Sequence, residues 1–144
     1  MNKIDYSEML TKTPDELLKL QKSNGCIMYV FGLIVYNVLL MLGYTPSSYK
    51  GVCPYFTIGD KWGGFSLGWF FICDKSSGEH TKMHEVGHCI QTAYFKGLTM
   101  PLLSLCSAGR YWYRRIFKIE TPYDSWWFEG DASRIGREYI NKRR

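Results

Sequence analysis

His84-Glu85-Val86-Gly87-His88 sets two imidazoles four residues apart, with a carboxylate directly after the first. On a helix, residues at that spacing are separated by about 6 Å along the axis and about 40° around it, so both rings can reach one ion. Glu85 then stands beside the ion without occupying a coordination position. The chemistry of such a set is hydrolysis: two neutral imidazoles hold Zn2+, a water takes an open position, and the glutamate removes a proton for attack on a polarised carbonyl. The pattern predicts a zinc-dependent hydrolase, and among hydrolases a peptidase acting on a peptide or protein substrate, with Glu85 as general base.

A third ligand has to come from elsewhere. The only histidines are His80, His84 and His88, and eight residues of helix put about 12 Å between His80 and His88. His80 is therefore expected at the helix entrance. The downstream carboxylates are Glu120, Asp124, Glu129, Asp131 and Glu138. Glu129, Ala132 and Gly136 share one face of a last helix, and the two small residues let its backbone approach Gly87, which selects Glu129 as the metal ligand. Asp131 projects elsewhere and is better suited to orienting a histidine, and Glu138 lies more than two turns on. A closed, structural zinc site would instead need a fourth ligand such as Cys89 or Asp131. Arg110, Tyr111, Tyr113 and Tyr123 are all able to stabilise an oxyanion, and the sequence does not choose among them.

Positioning these groups requires a small set of elements. The motif helix is expected from Glu79 to Phe95, ended by Gly97, with Met83, Val86, Ile90 and Ala93 as its core face. His84, His88, Gln91 and Phe95 form a second, more polar stripe beside that face. Tyr55–Ile58 and Phe65–Cys73 read as strands of a hairpin connected through Gly59–Gly64, and the longer strand is the expected seat of an extended substrate. The run Leu98–Leu105, interrupted by Pro101, reads as a short buried or membrane-touching helix. The last helix is expected to start at Asp124 or Ser125 and to turn Phe128, Ala132, Ile135 and Tyr139 inward. The architecture is α+β.

These motifs resemble the gluzincin branch of zinc metallopeptidases, in which HExxH is followed by a second helix bearing a glutamate ligand in an ExxA pattern, here Glu129-Gly130-Asp131-Ala132. The stretch from Trp62 to Gly136, with WGGFSLGWFF, HEVGHCIQTAYFKGL and WFEGDASRIG, is similar to uncharacterised bacterial membrane-associated metallopeptidases. The resemblance implies a minimal zincin-like domain with His84, His88 and Glu129 on zinc. Gluzincins often carry aspartate after the ExxA alanine, whereas this chain has Ser133. Asp131 or Ser133 would then supply the hydrogen bond that orients a ligand histidine.

The remaining composition bounds the alternatives. The 144 residues divide into 1–49, a polar segment with a short helix through Leu17, Leu18 and Leu20 followed by an apolar helix, and 50–144, the expected metal-binding domain. Cys26–Tyr44 is apolar and long enough to be either a membrane-spanning helix or a buried or membrane-apposed helix of the domain. No cleavable secretory signal is apparent, so the chain is expected in the cytoplasm or associated with a membrane. Five cysteines without a CxxC pair argue for buried, free thiols in a reducing compartment. The net charge of +5 is concentrated in residues 101–144, with nine Lys or Arg against five Asp or Glu, but the C-terminal basic residues fit the solvated face of a last helix, and nucleic acid is not the expected partner. The competing expectation is a non-enzymatic membrane-associated or assembly protein with a structural or vestigial zinc site.

Overall fold

Thr13-Pro14-Asp15-Glu16 begins the first substantial helix by satisfying two backbone donors reciprocally. The Glu16 N–H donates to Thr13 Oγ1 at 3.3 Å and the Thr13 N–H to the Glu16 carboxylate at 2.7 Å, while Pro14 presets the first turn. In the computed structural model, which describes residues 3–144, this helix is α2 (Pro14–Ser23), preceded by the single turn-and-a-half α1 (Ser7–Thr11). The chain then bends by 108° into α3 (Cys26–Met41). No single helix among the described residues is long and apolar enough to cross a membrane; α2 and α3 pass that test only as a bent pair.

Four short strands follow: β1 (Ser47–Tyr49), β2 (Cys53–Thr57), β3 (Gly64–Ser66) and β4 (Phe71–Cys73), in the order β1-β2-β4-β3. β2 and β4 are parallel, with Tyr55 opposite Phe71, and the outer pairs are antiparallel. The expected hairpin is therefore corrected. Phe65–Cys73 is two strands folded back on each other at Gly68, whose φ of +83° suits glycine, and Gly59–Gly64 carries the chain past β4 to the sheet edge. β1 adds a strand ahead of the two that the sequence pattern marks.

The motif helix α4 (Glu79–Tyr94) ends close to its expected limit, with Gly97 in the left-handed region three residues on. It is enclosed more completely than its sequence suggests. Every residue from His84 to Ala93 is buried, because the sheet covers one side and α6 (Trp127–Asn141) covers the polar stripe. From the N-terminal side, Gln21 Nε2 and Asn24 Nδ2 of the α2–α3 region donate to the Cys89 and Ala93 carbonyls, both at 2.8 Å. Tyr6, Met9, Leu10 and Leu17 share one apolar core with Val86, Ile90, Ile135 and Tyr139, so this core spans both sides of position 49.

α6 turns Phe128, Ala132, Ile135 and Tyr139 inward as expected. Its N-cap is Trp126, not Asp124 or Ser125; those two belong to a 3-10 turn, Tyr123–Ser125, and the Asp124 carboxylate is used elsewhere. The largest departure is α5 (Thr99–Ile116). The proline-broken run is the first part of an 18-residue helix in which Met100 alone is buried, since Pro101 falls in the first turn, where its missing N–H costs nothing. Cys53, Cys73 and Cys89 are buried, whereas Cys26 and Cys106, expected inside, are exposed; all five thiols are free.

Candidate metal centre

The contact between α4 and α6 is what brings the site together, and it depends on two missing side chains. A Cβ at Gly87 would stand 1.9 Å from the Ala132 carbonyl oxygen, and one at Gly136 would stand 1.8 Å from that of Met83. Backbone thus lies directly on backbone, the approach the sequence pattern anticipates. Glu129, one turn before Ala132, consequently reaches the imidazoles: His84 Nε2 and His88 Nε2 lie 3.0 and 3.1 Å from Glu129 Oε2 and 3.1 Å from each other.

Hydrogen bonds on the far side of each ring fix its tautomer. His88 Nδ1–H donates to Gln91 Oε1 at 2.8 Å, and Gln91 is itself held by donating from Nε2 to the Phe128 carbonyl at 3.0 Å. Behind His84, Ser133 Oγ donates to Asp124 Oδ2 at 2.5 Å, which leaves the Ser133 oxygen free to accept from His84 Nδ1–H at 2.8 Å. Both Nε2 lone pairs are then directed inward with the Glu129 oxygen. Ser133 takes the orienting role left open between it and Asp131; Asp131 pairs instead with Arg134 at 3.1 Å.

The donor set fits a tetrahedral divalent ion. Ligand atoms about 2.0–2.1 Å from such an ion stand roughly 3.3 Å apart, close to the spacings present here, and the three groups are the one metal-capable cluster found among the described residues. Neither suggested fourth ligand joins them, since Cys89 Sγ meets Ser66 Oγ at 3.3 Å and Asp131 is committed to Arg134. His80 sits at the helix entrance, largely exposed, 3.9 Å from Asp124 Oδ2.

Glu85 lies on the sheet side of the site. Its Oε2 is buried without a hydrogen-bond partner, and its Oε1 occupies the space a Gly64 side chain would fill, 2.7 Å from that Cβ position. Burial pushes its carboxyl up to about 7, against the lowering pull of His84. Glu129 is fully buried at the α4–α6 contact, with Oε2 facing both imidazoles. Its second oxygen accepts from Ser107 Oγ and lies 3.4 Å from the Tyr123 hydroxyl.

A cavity of about 870 Å³ opens onto these groups between β3 and α5, and both Tyr111 and Tyr123 line it. The other two oxyanion candidates do not. Arg110 is drawn away to the Tyr123 carbonyl and Ser125, and Tyr113 packs on Phe117. Substrate-strand expectations also narrow: β3, at the sheet edge, lines the cavity, whereas β4 is interior. Ser107, Gln91 and Asp124 were not singled out for these roles. Ser104, Ser107 and Tyr111 at spacings of three and four, polar on the side of the helix opposite its apolar stripe, are the signal that would have found Ser107. No family model, curated protein or solved structure matches the chain.

Proposed function

We propose that the protein is a zinc-dependent hydrolase, most consistent with a gluzincin-like metallopeptidase of minimal zincin type. The observation that carries this reading is the convergence of two tautomer-fixed Nε2 atoms and one Glu129 oxygen on a single point, with no fourth protein ligand among the described residues. Three ligands and an open position are the composition of a catalytic rather than a structural zinc site.

Zinc, when bound there, supplies a Lewis acid that polarises a carbonyl and acidifies a water. The chain's own groups do the rest. Glu85 Oε2 takes a proton from the attacking water and passes it to the leaving amine, a role suited to a buried carboxylate facing the cavity without a competing partner. The unpaired edge of β3 offers backbone donors and acceptors to an extended peptide. Tyr123, or Tyr111 across the cavity, presents a hydroxyl toward the carbonyl oxygen.

Zinc content and peptide turnover, measured together on wild type, Glu85→Gln and Glu129→Ala, test this. Near-stoichiometric zinc in wild type and Glu85→Gln, turnover lost in Glu85→Gln, and zinc lost in Glu129→Ala are the expected results. Wild-type turnover in Glu85→Gln, or a wild type that takes up no zinc on reconstitution, would sink the proposal.

A further inference from the structure

α5 is amphipathic in the wrong sense for a helix facing water. Leu98, Leu102, Leu105, Trp112 and Ile116 recur every three or four residues, apart from Gly109 in the same stripe, and all are exposed, Leu105 and Ile116 at 69%. The opposite side of the helix sends Ser104, Ser107 and Tyr111 into the cavity of the candidate centre, whose rim Trp112 also borders. A helix on an aqueous surface places these faces the other way round. α3 repeats the pattern: Ile27, Val30, Phe31, Ile34, Val38 and Met41 form one exposed stripe along its whole length, on a helix with no charged side chain. The two helices approach one another through Met28 and Met100.

We infer that the outward faces of α5 and α3 seat the protein on an anionic lipid surface. Length supports lying on the bilayer rather than crossing it, since 18 and 16 residues rise only about 27 and 24 Å against a hydrocarbon core of about 30 Å. Charge supports lipid over a second copy of the chain. No acidic residue occurs from 24 to 59 or from 96 to 119, while Arg115 and Lys118 are exposed at the end of α5, next to Arg110 and Arg114, which are bonded to the loop that follows. Such a face attracts phosphate headgroups and repels its own twin. Exposed Trp112, Tyr113 and Phe117 stand beside those cations, the residue types that settle at the boundary between headgroups and acyl chains.

Flotation of the full chain with vesicles of phosphatidylcholine, alone or mixed with phosphatidylglycerol, reads the inference directly. Wild type should float with the mixed vesicles and several-fold less with the neutral ones. The triple variant Leu105→Gln/Trp112→Gln/Ile116→Gln should lower the bound fraction at least tenfold, and Val30→Gln/Ile34→Gln by several-fold. Wild type that ignores both vesicle types would overturn the inference, as would full binding by the triple variant, or a wild-type dimer that the triple variant converts to monomer in light scattering. Flotation reads neither zinc nor turnover, so it stands apart from the hydrolase proposal.

Discussion

The helix pair α4–α6 buries a cluster of polar side chains, whereas the helix pair α3–α5 exposes a row of apolar ones. Between α4 and α6 lie His84, His88, Glu129, Gln91 and Ser133, all buried and all hydrogen-bonded, in a contact so close that two glycines are required. On α3 and α5 the exposed surface is Leu, Ile, Val and aromatic side chains, and a Cβ at Gly109 would meet nothing within 4 Å. The difference shows that hydropathy alone does not decide what is buried here, because a polar group can go inside once it is hydrogen-bonded, whereas an exposed leucine costs far less than an unpaired buried charge or amide.

Glycine substitutions break the comparison most sharply. Gly136→Ala would improve intrinsic helix propensity by about 1 kcal/mol, yet its Cβ meets the Met83 carbonyl, so we expect a net destabilisation of about 3 kcal/mol, read from the urea midpoint at constant m-value.

Ser133→Ala leaves the α4–α6 contact intact and removes the acceptor for His84 Nδ1–H together with the donor to Asp124 Oδ2. Zinc affinity should fall about 10- to 100-fold, as for other groups that orient a ligand histidine, and competition with a chelator measures it. An unchanged affinity would show that the Asp124–Ser133–His84 chain does not hold the ring.

Asp74 tests the sheet side. Its carboxylate accepts the N–H groups of Gly63 and Trp62, the latter at 2.7 Å, and the hydroxyls of Ser76 and Ser77, pinning the loop that delivers Gly64 to Glu85. The Gly63 bond is foremost in holding its pKa below the ordinary 3.8. A depressed folded-state pKa contributes stability that is complete above the unfolded value and is lost as pH falls through the folded one. Asp74→Asn should thus be less stable than wild type at pH 7 and should decline less steeply than wild type below about pH 4, as followed by urea midpoints across that range.

The smallest effect is expected at Gly109, where alanine enters open space on a helix interior. Gly109→Ala should stabilise by about 0.5–1 kcal/mol, the reverse sign of Gly136→Ala.

Much of the α4–α6 pair was legible in the sequence, because a buried helix face announces itself by spacing: Phe128, Ala132, Ile135 and Tyr139 lie where period 3.6 puts them, and Gly87 with Ala132 and Gly136 foretold the close contact. The enclosure of His84 and His88 was not legible, since their stripe looks polar until α6 covers it. Strand pairing failed for a different reason. β3 and β4 have three residues each, and their turn falls within the apolar run LGWF, where no polar residue marks a reversal. The support behind His84 depends on the 3-10 turn at Tyr123–Ser125, a tertiary feature with no periodic signature. α5 was legible in part: the run Leu98–Leu105, read as a short buried or membrane-touching helix, continues to Ile116, and its buried alternative fails because the apolar stripe that the usual rule sends inside is exposed.

The reciprocal seating of Gly87 on Ala132 and of Gly136 on Met83 has a bearing on ancestry. Neither glycine can drift to a larger residue while the other helix keeps its path, so the two positions are tied into a single unit of inheritance some fifty residues wide. Descendants of a common ancestor would retain HExGH together with ExxAxxxG long after the surrounding apolar helices had diverged beyond recognition, and that joint signature is the thread by which distant kin could be traced.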